Sequence, residues 1–224
     1  MYINMSKTNT NSDKNFTCNL KFRQKLRIYL ATKSSGCFWF FIDNISCKLD
    51  GLAEIYARAI DDEYVKEYTI INILDSRENN IIHIGCGSYP LTDITLAQTS
   101  CVRQIVGIDN DSKAVRLAQE VINKKKLDKC IKIEHADGRE YPLKKFDIII
   151  VSSCSWPKIE ILEHIFKTAK KRSKIIVREL DHAVEPILRC INSHKEIVLK
   201  KRMYHHPFPF LEPFGWQTFY LRKK

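Results

Sequence analysis

The chain has 224 residues, 44% hydrophobic and 28% charged, which are the proportions of a globular domain long enough to bury a full core. The longest apolar run, Cys37 to Ile42, ends at Asp43 and falls far short of the roughly 20 residues a membrane helix needs. The formal net charge of +11 is spread over short basic runs (Lys124-Lys125-Lys126, Lys144-Lys145, Lys170-Lys171-Arg172, Lys200-Lys201-Arg202). These read first as solvated surface near helix ends, and second as a footprint for nucleic acid or another anion.

Residues 1–17 are polar with no signal-peptide core, so a flexible leader on a cytoplasmic protein is expected. Residues 18–78 read as a helical cap region. Up to residue 84 there is no proline and only two glycines, Gly36 and Gly51. Leu49, Leu52, Ile55, Tyr56 and Ile60 recur at helical spacing, as do Tyr64, Val65, Tyr68 and Ile71, which predicts three or four helices.

From residue 79 to 224 the pattern alternates. Strand-like runs fall at 81–84, 105–108, 131–134, 147–152, 174–178, 196–199 and 217–221. Helical patterns lie between them, one capped by Asp111 and Ser112 and another opened by Pro157. Such alternation predicts βαβ units and a parallel sheet covered on both faces. The eight cysteines include no CxxC pair, and the only adjacent histidines, His205-His206, are poorly placed to share an ion, so no metal is expected.

The chemistry concentrates where the first of these strands ends. "IIHIGCGSYPLTD" puts Gly85 and Gly87 between a strand and a helix, where the turn needs positive φ and a ligand needs access to backbone. Asp109 ends the next strand 22 residues after Gly87, at the distance of a ribose-binding acid. Ala136-Asp137 close the third strand. The third glycine of dinucleotide folds is missing, which argues for a nucleoside ligand without phosphates. At the end of the fourth strand, "FDIIIVSSCSWP" presents Ser152, Ser153 and Cys154, with Trp156 as a wall or packing residue.

Together these residues resemble the class I S-adenosylmethionine-dependent methyltransferase-like superfamily over about residues 80–224. The resemblance implies a doubly wound, seven-stranded Rossmann-like α/β sheet in the order 3-2-1-4-5-7-6, with "FGWQTFYLRKK" as the late antiparallel strand. S-adenosylmethionine is then the implied cofactor, held by Gly85, Cys86, Gly87, Ser88, Pro90, Leu91, Thr92, Asp109, Asn110, Ala136, Asp137, Ser152 and Ser153. "GCGSYPLTDITLAQ" is also similar to the G-x-G-x-x-P-L-T signature of nicotianamine synthases. That narrower resemblance implies Glu54 and Tyr68 as catalytic residues and aminocarboxypropyl transfer as an alternative to methyl transfer. Methyl transfer to a small amine, thiol or amino-acid-like acceptor is the first expectation, and an RNA-directed methyltransferase is a further alternative. No membrane partner is expected, and a homodimer is left open. The stiff aromatic segment "YHHPFPFLEPFGW" is expected to shape or cover the pocket.

Overall fold

The computed structural model describes residues 22–70, 72, 80–99, 103–206 and 215–224. The expected leader and most of the 204–216 aromatic segment lie outside them. Where sequence predicts three or four helices before the sheet, the described part of that region holds two, α1 (Phe22–Lys48) and α2 (Asp50–Ile70). They are parted only at Leu49. With no proline, and with Gly36 tolerated inside α1, nothing else breaks them.

Helix α2 has a defined inner face: Ala53, Ile60, Glu67 and Tyr68 are buried, whereas Glu54, Ile55 and Arg58 are exposed. The chain then alternates through β1 (Asn80–Ile84), α3 (Leu91–Thr99), β2 (Gln104–Asp109), α4 (Ser112–Lys124), β3 (Ile131–His135), β4 (Ile148–Val151) and α5 (Lys158–Thr168). It finishes with β5 (Lys174–Leu180), a 3-10 turn at Asp181–Ala183, α6 (Val184–Ser193), β6 (Ile197–His205) and β7 (Trp216–Lys223). The seven strands form one sheet in the order β3-β2-β1-β4-β5-β7-β6. The first five run parallel, and β7 inserts antiparallel between β5 and β6. This is the expected doubly wound arrangement.

Alternation along the strands sends side chains to two cores. Ile81, Ile105 and Ile131 face α2, α3 and α4, together with Ala53, Tyr68 and Leu96. Ile82, Val106 and Ile149 face α5 and α6, with Leu162, Phe166 and Ile187. The central strands β1 and β4 are therefore isoleucine-rich without polar alternation beyond His83, as a sheet covered on both sides requires, whereas the edge strand β3 alternates. Asp111 caps α4 as expected, its carboxylate accepting from the Lys113 amide at 2.9 Å. No helix among the described residues is long and apolar enough to cross a membrane.

The cap is fastened to the sheet by a buried ion pair. The Arg178 guanidinium on β5 donates to Glu67 on α2 through Nη2 at 2.7 Å and through Nε at 3.2 Å. The same carboxylate accepts from Thr218 on β7 at 2.6 Å, and Arg178 also donates to Thr92 on α3 at 2.7 Å. Four elements meet around this ion pair. Strand order reverses at β1, whose neighbours β2 and β4 lead their connections to opposite faces. Open α/β sheets leave a crevice at that point, outside the carboxyl ends of the strands.

Candidate active site

A cavity of about 490 Å³ occupies this crevice, floored by the ends of β1, β2 and β4 and roofed by α1 and α2. All the residues expected at the cofactor site line it except Pro90, which is buried at the start of α3. Gly85 and Gly87 both adopt positive φ, +79° and +70°. A Cβ on Gly87 would come within 2.8 Å of Asp43 Oδ2, so the loop backbone stays bare on its cavity side.

The acid ending β2 is held in place by the same loop. Asp109 Oδ2 accepts from the Gly87 amide at 3.0 Å, and its Oδ1 accepts from the Asp111 amide at 3.0 Å. Each carboxylate oxygen has a second acceptor direction, so two ribose hydroxyls can still be bound. Asp137 is engaged by Arg139, at 3.0 Å through Nε and 2.5 Å through Nη2, which holds its carboxyl below the usual range. Bare glycine backbone beside an oriented, partly satisfied acid fits an adenosine-bearing cofactor.

The roof departs from the sequence reading. Glu54 is exposed on the outer face of α2, 3.9 Å from Arg58, and does not line the cavity. It follows Ala53, which packs inward, and one residue turns a helix by about 100°, enough to send the side chain to solvent. Tyr68 is fully buried beneath the cavity, its hydroxyl accepting from Arg178 at 3.2 Å and donating to the Thr92 carbonyl at 3.5 Å. Asp43, Tyr56 and Tyr64 line the cavity instead.

Asp43 accepts from the Tyr56 hydroxyl and the Tyr89 amide, yet burial, with the Asp109 charge adding to it, pushes its carboxyl up to about 8. The only sequence sign of it was an acid closing the aromatic run "FWFF". The cavity wall at the ends of β1 and β4 carries a second polar array. His83 Nδ1 lies 3.0 Å from Asp93 Oδ1, and His83 Nε2 lies 2.7 Å from Ser152 Oγ. In the sequence His83 stands within the strand-like run 81–84, between Ile82 and Ile84, with nothing beside it to mark a site residue.

Behind this wall Lys158 donates to the carbonyls of Ser152, Ser153 and Arg178 and sits 3.7 Å from Glu179. Burial lifts Glu179 to about 7 and lowers Lys158. Lys158 thereby fixes the turn that carries Ser152. His205 does not pair with His206; it meets Glu63 at 3.0 Å and stacks on Trp216. Outside the cavity, Glu163, Cys190 and His194 cluster between α5 and α6, with Glu196 on the other imidazole nitrogen, and charge pairing accounts for the group.

A seven-stranded sheet in this order, with a glycine turn after β1 and a bound acid ending β2, defines the class I S-adenosylmethionine-dependent methyltransferase-like fold. The chain belongs to the methyltransferase-domain family, whose model matches residues 75–219. S-adenosylmethionine is the cofactor of that family. A ribosomal protein L11 methyltransferase of Thermosipho africanus is 27% identical over 113 residues, or 50% of this chain and 42% of that protein. The chain thus matches less than half of that relative's length.

Among solved structures, MtNAS in a glutamate-to-glutamine form is similar at TM-score 0.71 and 15% identity, over 91% of this chain and 78% of its own. MtNAS in complex with S-adenosylmethionine is similar at TM-score 0.66 and 16% identity, over 90% and 78%. TrmN from Thermus thermophilus aligns over 70% of this chain and 47% of its own, at TM-score 0.55 and 16% identity. The expected resemblance to nicotianamine synthases therefore extends to the fold.

Proposed function

We propose that this chain methylates a small amine with S-adenosylmethionine as donor. The observation that carries the reading is Asp43, a carboxyl on the roof helix placed against the bare backbone of Gly87 and lining the cavity. A carboxyl lifted to about 8 by burial lacks a counter-charge. A cationic amine seated against it would supply that charge and pull the group back toward ionisation. Tyr56, already donating to Asp43, would fix the direction of the carboxyl.

The Gly85–Ser88 backbone, Asp109 and Asp137 would hold the adenosine part of the cofactor, which when bound supplies a carbon already activated by its sulfonium. What the protein then adds is alignment and removal of a proton from the acceptor. A cavity of about 490 Å³ roofed by two helices suits a small acceptor better than a polynucleotide.

A second reading, aminocarboxypropyl transfer, is supported by one further observation. The likeness to MtNAS takes in 91% of the chain, whereas that to TrmN takes in 70%. The by-product separates the two. The purified chain, given S-adenosylmethionine and the small-amine fraction of a cell extract, should leave S-adenosylhomocysteine. Methylthioadenosine in its place would select the second reading, and neither above a protein-free control would sink both.

A further inference from the structure

Three polar residues from three different elements meet at the cavity, which His83 and Ser152 help to line. Asp93 belongs to α3, His83 to β1, and Ser152 follows the last residue of β4. Asp93 and His83 are buried, at 0% and 2% exposure, and Ser152 is half-buried with His83 beside it on the cavity surface. The distances along the line, 3.0 Å and 2.7 Å, are those of two good hydrogen bonds.

The carboxylate sets the tautomer. Asp93 Oδ1 accepts from Nδ1–H of His83, so Nε2 is the ring's free acceptor and Ser152 Oγ–H must donate to it. Asp93 Oδ2 has no hydrogen-bond partner among the described residues. The acid therefore has one task in this line, which is to face the imidazole. Room for it exists because Gly107 on β2 has no side chain: a Cβ there would lie 2.8 Å from Asp93 Oδ2. A histidine meant only to pack inside an isoleucine strand would not need an acid fitted into the sheet and a hydroxyl aimed at the cavity.

We propose that Asp93, His83 and Ser152 form a proton relay whose terminal atom, Ser152 Oγ, takes the proton from the acceptor. This rests on the amine-acceptor reading. An ammonium bound against Asp43 has no lone pair with which to attack. When one of its N–H bonds breaks, the electron pair stays on nitrogen and the proton goes to Ser152 Oγ. The Oγ–H proton passes at the same time to His83 Nε2, and the imidazolium formed is balanced by Asp93. Ser152 is the catalytic residue here; His83 and Asp93 act through it.

A hydroxyl so placed is also nucleophilic, and that property can be read without knowing the acceptor. A fluorophosphonate probe should attach to Ser152, with fluoride leaving and the hydroxyl proton going to His83. Peptide mass mapping should find the adduct on Ser152. The labelling rate should fall at least about tenfold in His83→Gln and in Asp93→Asn, and the adduct should be absent in Ser152→Ala. Circular dichroism identifies folded variants, and Asp93→Asn supplies the same readout if His83→Gln does not fold. An unlabelled Ser152 in the wild-type chain, or equal rates in a folded His83 or Asp93 variant, would overturn the relay. Calorimetry with S-adenosylmethionine separates the two ideas. Loss of binding by the wild-type chain, with labelling still dependent on His83, overturns the methyl-transfer reading alone, whereas binding without such labelling overturns the relay alone.

Discussion

Replacing Glu67 with glutamine tests how the roof is attached. The carboxylate is 0% exposed and its partner Arg178 is 3% exposed, so neither charge has water to fall back on. Glutamine keeps the shape and one of the two accepting oxygens, so it can serve Arg178 Nη2 or Thr218 but not both, and it removes the negative charge. Breaking a buried pair from one side leaves the other charge uncompensated, at a cost of about 3–5 kcal/mol. Urea unfolding followed by the fluorescence of the three tryptophans, Trp39, Trp156 and Trp216, reads this directly. With a slope of at most about 3 kcal/mol per molar, the midpoint should fall by about 1 M or more. Adding Arg178→Met should restore most of the loss, since the unpaired guanidinium is then gone. A cost under about 1 kcal/mol, the value of an exposed pair, would show that water reaches the pair and that the roof is not clamped as described.

Asp109→Ala should weaken S-adenosylmethionine binding by at least about tenfold, or about 1.4 kcal/mol, in calorimetry; equal affinity would place the ribose elsewhere. Gly87→Ala should lose about 1–2 kcal/mol of stability for the left-handed φ and should also weaken cofactor binding, because the new methyl would press on Asp43. Stability should also fall with rising pH. Asp43 keeps its proton up to about 8 in the native state, while an unfolded carboxyl releases it near about 4, so the native state binds more protons across that window. Melting temperatures between those limits should decline in the wild-type chain and less in Asp43→Asn. There Glu179, lifted to about 7, and His194, raised by Glu163 and Glu196, still favour the decline, and His205, lowered by burial, opposes it. An unchanged slope in that variant would mean the Asp43 carboxyl is not buried.

The sheet could be read from the sequence because its determinants are local. Runs such as Ile148–Val151 are apolar throughout, and the Gly85 and Gly87 turn carries its own backbone requirement. The roof could not be read so well, since the facing of α1 and α2 is settled by contacts with distant elements. Asp43 looked like the end of an apolar run, and only the approach of α1 to the glycine loop makes it part of the cavity. Glu54 and Asp43 are both acids among apolar residues; rotation about a helix axis separates them, and composition does not record rotation. His83 was hidden by its isoleucine neighbours, because its partners Asp93 and Ser152 lie 10 and 69 residues away.

The Arg178–Glu67 clamp also orders events during synthesis. Glu67 precedes Arg178 by 111 residues and Thr218 by 151, so its carboxylate leaves the ribosome long before either partner exists. Contacts of such sequence separation form late, after the chain entropy of closing a long loop has been met. The first helices must therefore wait, with Ala53, Ile60 and Tyr68 uncovered, while the sheet assembles behind them. The cavity is completed from both ends of the described chain, and its roof closes only when β7 delivers Thr218. A chain stopped before β7 would retain the glycine loop and Asp109, yet would have an incomplete anchor for the helices above them.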